Sequence, residues 1–345
     1  MNDLVDRLIS NKTLSRDGFK ALIDCHDSDT YILHKRAEEV RRRVYGNKIF
    51  FRGLIEFTSY CKNDCYYCGL RKSNANTDRY RLTKDQILDC CVAGHELGFR
   101  TFVLQGGEDP YYTDDILCDI VREIHGRYPD CAITMSIGER SYDSYKRLFD
   151  AGADRYLLRH ETANEEHYRS LHPASLSLDR RKKCLDDLKK IGYQVGCGFM
   201  VGSPGQTLDH LVDDLIFIGD LDPEMVGIGP FIPHEDTPMK DEVTGSLRWT
   251  LNCLAILRLM KPNVNLPATT ALATIDKRGY ELGIRAGANV VMPNLSPKDV
   301  RKKYFLYNNK FSLGDVGSEA LDNITCMLNN IDCVTVKERG DIIEL

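Results

Sequence analysis

The sequence predicts an α/β fold, a (β/α)8 barrel of the TIM type spanning 48–307, with an N-terminal helical cap over 1–47 and a short C-terminal extension over 308–345. Three observations predict it. From Lys48 onward, short apolar runs alternate with amphipathic segments of helix length, which implies parallel strands joined by helices. There are eight such runs, enough to close a barrel, and the chain of 345 residues is long enough to hold one. Residues able to do chemistry gather directly after the runs, at the rim where such a barrel collects its active site. An open doubly wound sheet is the alternative.

In the cap, Ser15 is placed to start a helix carrying Phe19, Leu22 and Ile23, and Leu33, Ala37, Val40 and Val44 recur on one helical face. The expected strands are 49–57, 101–105, 132–136, 155–161, 194–201, 225–230, 264–268 and 289–292. The expected helices between them include 84–97, 113–126, 141–151, 178–191, 207–218 and 247–260. In the extension, a helix over 318–330 and a short strand are expected.

After the first strand comes FTSYCKNDCYYCGLR, with Cys61, Cys65 and Cys68 spaced C-x3-C-x2-C. Three thiolates this close can hold three corners of an iron–sulfur cube and leave one iron open. A structural zinc site would need a fourth ligand, and no second C-x2-C or H-x3-H pairs with this one. A four-cysteine cluster would need a remote partner among the ten other cysteines.

The second strand ends in LQGGEDPYY, where Gly106 and Gly107 let backbone approach a ligand, followed by Glu108. The third ends at Ser136. In the fourth, RYLLRHE, alternation puts Arg155, Leu157, Arg159 and Glu161 on the inner face and Tyr156, Leu158 and His160 on the outer. Buried charges are costly unless paired, so this face reads either as an Arg159–Glu161 ion pair or as a polar cavity for a zwitterionic or anionic ligand. His160 reads as a packed histidine and His234 as a loop residue. Glycines crowd the fifth strand, which suits a bulky ligand lying close to backbone. Met225 begins the sixth strand, Thr269 and Thr270 end the seventh, and Tyr304 and Tyr307 return after the eighth.

These motifs resemble those of the radical S-adenosylmethionine (SAM) enzymes, which share the cysteine spacing, the aromatic (here Tyr67) before the third cysteine, and the GGE segment. YCKNDCYYCGLR, RYRLT, LQGGEDPYY, DRYLLRHETAN, VGSPGQT, MVGIGPFIPH, LPATT and GANVVMPN together resemble the HydE family of [FeFe]-hydrogenase maturases, in order, to about Tyr307. The resemblance implies a single [4Fe–4S] cluster on Cys61, Cys65 and Cys68, with SAM on its open iron. It implies SAM contacts from Gly106, Gly107, Glu108, Arg159, Glu161 and Arg181, with Arg180 as the fallback for the last. Ser136, Arg155, Met225, Thr269, Thr270, Tyr304 and Tyr307 would line a cavity for the second substrate, a cysteine-ligated Fe(CO)2(CN) complex attacked at sulfur by a 5′-deoxyadenosyl radical. Implied partners are an electron donor such as ferredoxin or flavodoxin and the other hydrogenase maturases. Two departures stand out: the family's auxiliary-cluster cysteines align with Ser312, Ala320 and Asn323, and a frequent Trp is Arg140. A methylornithine-synthase-like mutase acting on lysine and a non-catalytic iron–sulfur carrier are the alternatives.

Composition narrows the setting. With 46 basic and 51 acidic residues and a net charge of -5, the chain does not look built for nucleic acid. No apolar run reaches the length of a membrane span and the N-terminus lacks a signal-peptide core. Thirteen irregularly spaced cysteines do not form a disulfide framework, so a reducing cytoplasm is expected, in an anaerobic host.

Overall fold

A computed structural model describes residues 1–310 and 318–344. Ser15 caps the helix Arg16–Ile23, its hydroxyl accepting from the Gly18 amide at 3.2 Å. A longer helix, Asp27–Tyr45, buries Leu33, Ala37 and Val40 as the periodicity predicts. Both pack on the helix Leu247–Met260, in which every residue from Thr250 onward is buried. Polar contacts fix the docking: Asn252 Nδ2 donates to Ile23 O at 2.9 Å, and Trp249 Nε1 to Asp24 at 2.9 Å.

The strands make an all-parallel ring. Gly53–Thr58, Thr101–Gly106, Ala132–Ser136, Arg155–Leu157, Gln194–Cys197 and Met225–Val226 pair in that order. The seventh position, expected at 264–268, holds no regular strand: Asn265 bridges Met225, and Pro267 bridges Val290. Pro267 has no amide hydrogen to give a ladder, which explains the interruption. Phe50 pairs with Val290 and Leu54 bridges Asn294, so the eighth strand meets the first and the barrel closes.

The expected first strand 49–57 is broken at Arg52 into Lys48–Phe51 and Gly53–Thr58. Its lower half gains a second neighbour, Val334–Val336, from the far end of the chain. The fourth strand is shorter than 155–161, because Glu161 takes a left-handed backbone (φ 67°) and bridges Phe199 instead. The terminal helix is Ser318–Asn329. Ser312 and the side chain of Ala320 lie outside the described residues; Cys326 is exposed, and Cys333 is buried against Arg41. Among the described residues, no helix is long and apolar enough to cross a membrane.

Interior positions of such barrels are ordinarily filled by branched apolar residues. Here Arg52, Glu56, Thr134, Arg155 and Glu161 are all buried instead. The lining of this barrel is thus polar where most are apolar.

Candidate active site

The cysteine loop leaves the first strand at Thr58 and is held from every side. Lys62 N donates to Glu108 O at 2.9 Å, Tyr66 N to Leu171 O at 2.9 Å, and Gly69 N to Leu306 O at 3.0 Å. Arg79 clasps the loop's return, donating to Leu70 O at 2.9 Å and Arg71 O at 2.7 Å. Asp64 pairs with Arg71 at 2.7 Å, and that contact holds its carboxyl well below the usual range. Tyr67, just before the third cysteine, is fixed edge-on against His172, ring centroids 5.5 Å apart. Cys61, Cys65 and Cys68 are half-buried and form no disulfide. Burial raises all three thiols, Cys68 to about 12, with Cys61 adding to the shift. Iron would take them as thiolates, releasing their protons.

The second strand presses directly on this loop. A side chain at Gly107 would lie 2.2 Å from Tyr60 O and 2.7 Å from Cys61 Cβ; one at Gly69 would lie 2.2 Å from Phe305 O. Only glycine fits either contact. Gly107→Ala is therefore expected to push the loop off the strand, an overpacking penalty of about 1–3 kcal/mol. Iron and sulfide per chain after anaerobic reconstitution should fall well below wild type. Gly126, whose added side chain would meet nothing, is the control: Gly126→Ala should load normally.

Beyond the glycines, Glu108 pairs with Lys62 at 3.1 Å and accepts from the Glu139 amide at 2.9 Å. Glu139 in turn receives Arg181 Nε at 2.6 Å, while Arg181 Nη1 donates to Arg159 O at 2.7 Å. The structure thus brings Arg181 to the site; Arg180 turns outward to Arg140 O. Arg159 and Glu161 face each other at 3.1 Å, but without hydrogen-bond alignment. Arg159 Nε and Nη2 and Glu161 Oε2 are buried with no hydrogen-bond partner. Buried polar atoms of this kind ordinarily bond to water, an ion or a ligand. Glu161 also holds the strained backbone noted above, and Glu161 and Arg181 lie close enough to Cys65 for their charges to act on it. Three free thiols beside unsatisfied donors and acceptors fit a cluster carrying an amino-acid-bearing ligand.

Deeper in the barrel, Ser136 lies level with Gln105, which donates to the Tyr304 hydroxyl at 3.5 Å. Thr269 caps the helix Thr270–Ile275 without the usual side-chain bond, leaving its buried hydroxyl free. Burial, then the charge of Glu56, raises the Tyr304 phenol. Burial also raises Tyr307, whose phenol feels both Glu56 and Arg159.

Two further members of this group, Arg155 and Met225, begin their strands and are held by contacts within the chain. Arg155 pairs with Asp341 at 2.5 Å and donates to Thr101 Oγ1 at 3.0 Å, and Met225 Sδ accepts from Arg52 at 2.8 Å. His160 is a packed histidine against Asp214, both fully buried and 3.2 Å apart. His234 lies in its loop with its ring against Gly69. Sequence reasoning missed Glu56, Asn294 and Lys310. Glu56 was visible as a lone charge within an apolar strand; Lys310 carried no signal.

Comparison with known proteins gives four findings. Residues 55–218 match the Radical SAM superfamily. The chain is 42% identical over 334 residues to the [FeFe] hydrogenase maturase subunit HydE of Thermotoga maritima, covering 96% of this chain and 94% of that one. It is 32% identical over 302 residues to the 3-methylornithine synthase of Methanosarcina barkeri, covering 86% and 84%. The crystal structure of a methylornithine synthase, PylB, superposes with a TM-score of 0.83 at 26% identity, over 96% of this chain and 97% of that one.

Proposed function

The chain belongs to the radical SAM superfamily, within its family of HydE-type [FeFe]-hydrogenase maturases, and from that premise we propose that it cleaves S-adenosylmethionine and acts on a cysteine-ligated Fe(CO)2(CN) precursor in H-cluster assembly. It is a radical SAM enzyme, of a family that uses a [4Fe–4S] cluster and SAM. One observation carries the reading: the three free thiols stand beside the unsatisfied Arg159 and Glu161 and the buried Arg181.

When bound, the cluster and SAM supply a 5′-deoxyadenosyl radical by one-electron reductive cleavage. The chain's own residues position and enclose. Cys61, Cys65 and Cys68 hold iron from one loop, clamped by Arg79 and Asp64. Gly106 and Gly107 bare their backbone beside it, and Glu108 braces the loop through Lys62. Glu161 and Arg159 offer one acceptor and two donors to a zwitterion, and Arg181 fixes their strand. Ser136, Thr269, Thr270, Tyr304 and Tyr307 would surround the second substrate and shut out water, holding the reacting groups in a productive geometry. An external one-electron carrier such as a ferredoxin or flavodoxin, the partner maturases and a cytoplasmic setting complete the reading.

The test is 5′-deoxyadenosine formation by the anaerobically reconstituted, reduced protein, with the iron complex, lysine or nothing added. Stimulation by the iron complex is the expected result. Stimulation by lysine would instead assign mutase chemistry, and an intact cluster without any SAM cleavage would leave a carrier.

A further inference from the structure

Glu56 is a carboxylate with a side chain only 1% exposed, in the first barrel strand opposite Gln105 and level with Ser136. One of its oxygens accepts from Asn294 Nδ2 at 2.7 Å; the other meets Lys310 Nζ. Lys310 comes from beyond the last barrel strand and reaches inward, its side chain 13% exposed. Its ammonium also donates to Tyr304 O at 3.1 Å and lies 4.9 Å from the Tyr304 ring centroid. The Glu56 charge reaches both phenols of the chamber, and Tyr307 connects it with Arg159.

A buried ion pair is a poor stabilising device: two well-packed apolar residues of similar volume do as well or better. Barrel interiors are ordinarily filled in that apolar way. A charge pair at this point does something apolar residues cannot, which is to exchange partners with a ligand carrying both charges. An ammonium and a carboxylate arriving together would give Glu56 and Lys310 new partners and leave the chamber neutral. A lone anion or cation would leave one buried charge unpaired, at several kcal/mol.

We propose that Glu56 and Lys310 form the recognition pair for the α-amino-acid end of the second substrate, Glu56 receiving its ammonium and Lys310 its carboxylate. The inference rests on the proposed function only in assuming a second substrate that carries an amino acid, which the cysteine-ligated complex and lysine both do.

The experiment is equilibrium binding to the reconstituted protein with SAM present, free of any turnover readout. The probes are L-lysine and S-methyl-L-cysteine, whose blocked sulfur avoids ligating iron, together with the methyl ester and N-acetyl derivative of each. Wild type should bind the free amino acids at least roughly tenfold more tightly than either derivative, the worth of one charge-assisted hydrogen bond. In Lys310→Met the preference for free acid over ester should collapse. In Glu56→Gln the preference for free amine over N-acetyl should collapse. Thermal melts of both variants report folding. If both variants keep the wild-type preferences, or wild type shows none, the pair is a clip holding the chain end in the barrel and the proposal falls. Failure of SAM cleavage would overturn the proposed function while leaving this binding pattern to be read on its own.

Discussion

Cys65→Ala is expected to reduce 5′-deoxyadenosine formation to background and to strip most of the iron from the protein. A [4Fe–4S] cube bound through three thiolates has no spare protein ligand, so the loss of one leaves two irons without protein anchors. Among the described residues, the remaining cysteines give no replacement: Cys326 is exposed on the terminal helix and Cys333 is sealed against Arg41. Cys61→Ala and Cys68→Ala should behave alike, since one clamped loop presents all three. Cys326→Ala is the control, with iron content and turnover at wild-type levels. Iron analysis, electron paramagnetic resonance of the reduced protein and product formation read the outcome together. SAM cleavage surviving in Cys65→Ala would remove the cysteine loop from the chemistry.

Arg181→Met should be the most damaging change outside that loop. Its side chain is 9% exposed and its partner Glu139 11%, with 2.6 Å between them. Removing the guanidinium leaves Glu139 buried, with only Arg180 at 3.9 Å, and stranding a buried charge in this way costs about 3–5 kcal/mol. The same change frees Arg159 O and loosens the strand end that carries Arg159 and Glu161. Two effects are expected: a lower thermal midpoint and a weakened affinity for SAM. Arg181→Lys keeps the charge but not the two-point geometry, and should fall between. A lower midpoint with unchanged SAM affinity would make Arg181 a structural residue only.

Much of this was legible in the sequence because it is local. Capping at Ser15 depends on neighbouring residues, and so does the helical face of Leu33, Ala37 and Val40. The cysteine spacing states its own chemistry. Alternation in RYLLRHE sorted its side chains correctly, sending His160 to the helix layer and Arg159 and Glu161 inward. What stayed hidden depends on partners far along the chain. The carboxylate that neutralises Arg155 is Asp341, and nothing near Arg155 foretells it. Lys310 and Glu56 meet only because the chain re-enters the barrel after closing it. The interruption of the first strand at Arg52 falls where its pairing passes from Val290–Val291 and Val334–Val336 to Thr101–Gly106, a change of partners no periodicity encodes.

The first barrel strand takes both lateral neighbours of its lower half from the distal part of the chain, Val290–Val291 and Val334–Val336. During synthesis this strand and the cysteine loop behind it emerge early, and wait for almost the whole remaining polypeptide before the ring can shut. Such distant pairings are slow, late events in folding. The nascent protein therefore passes through an open-sided stage in which the three cysteines are reachable before their enclosure exists.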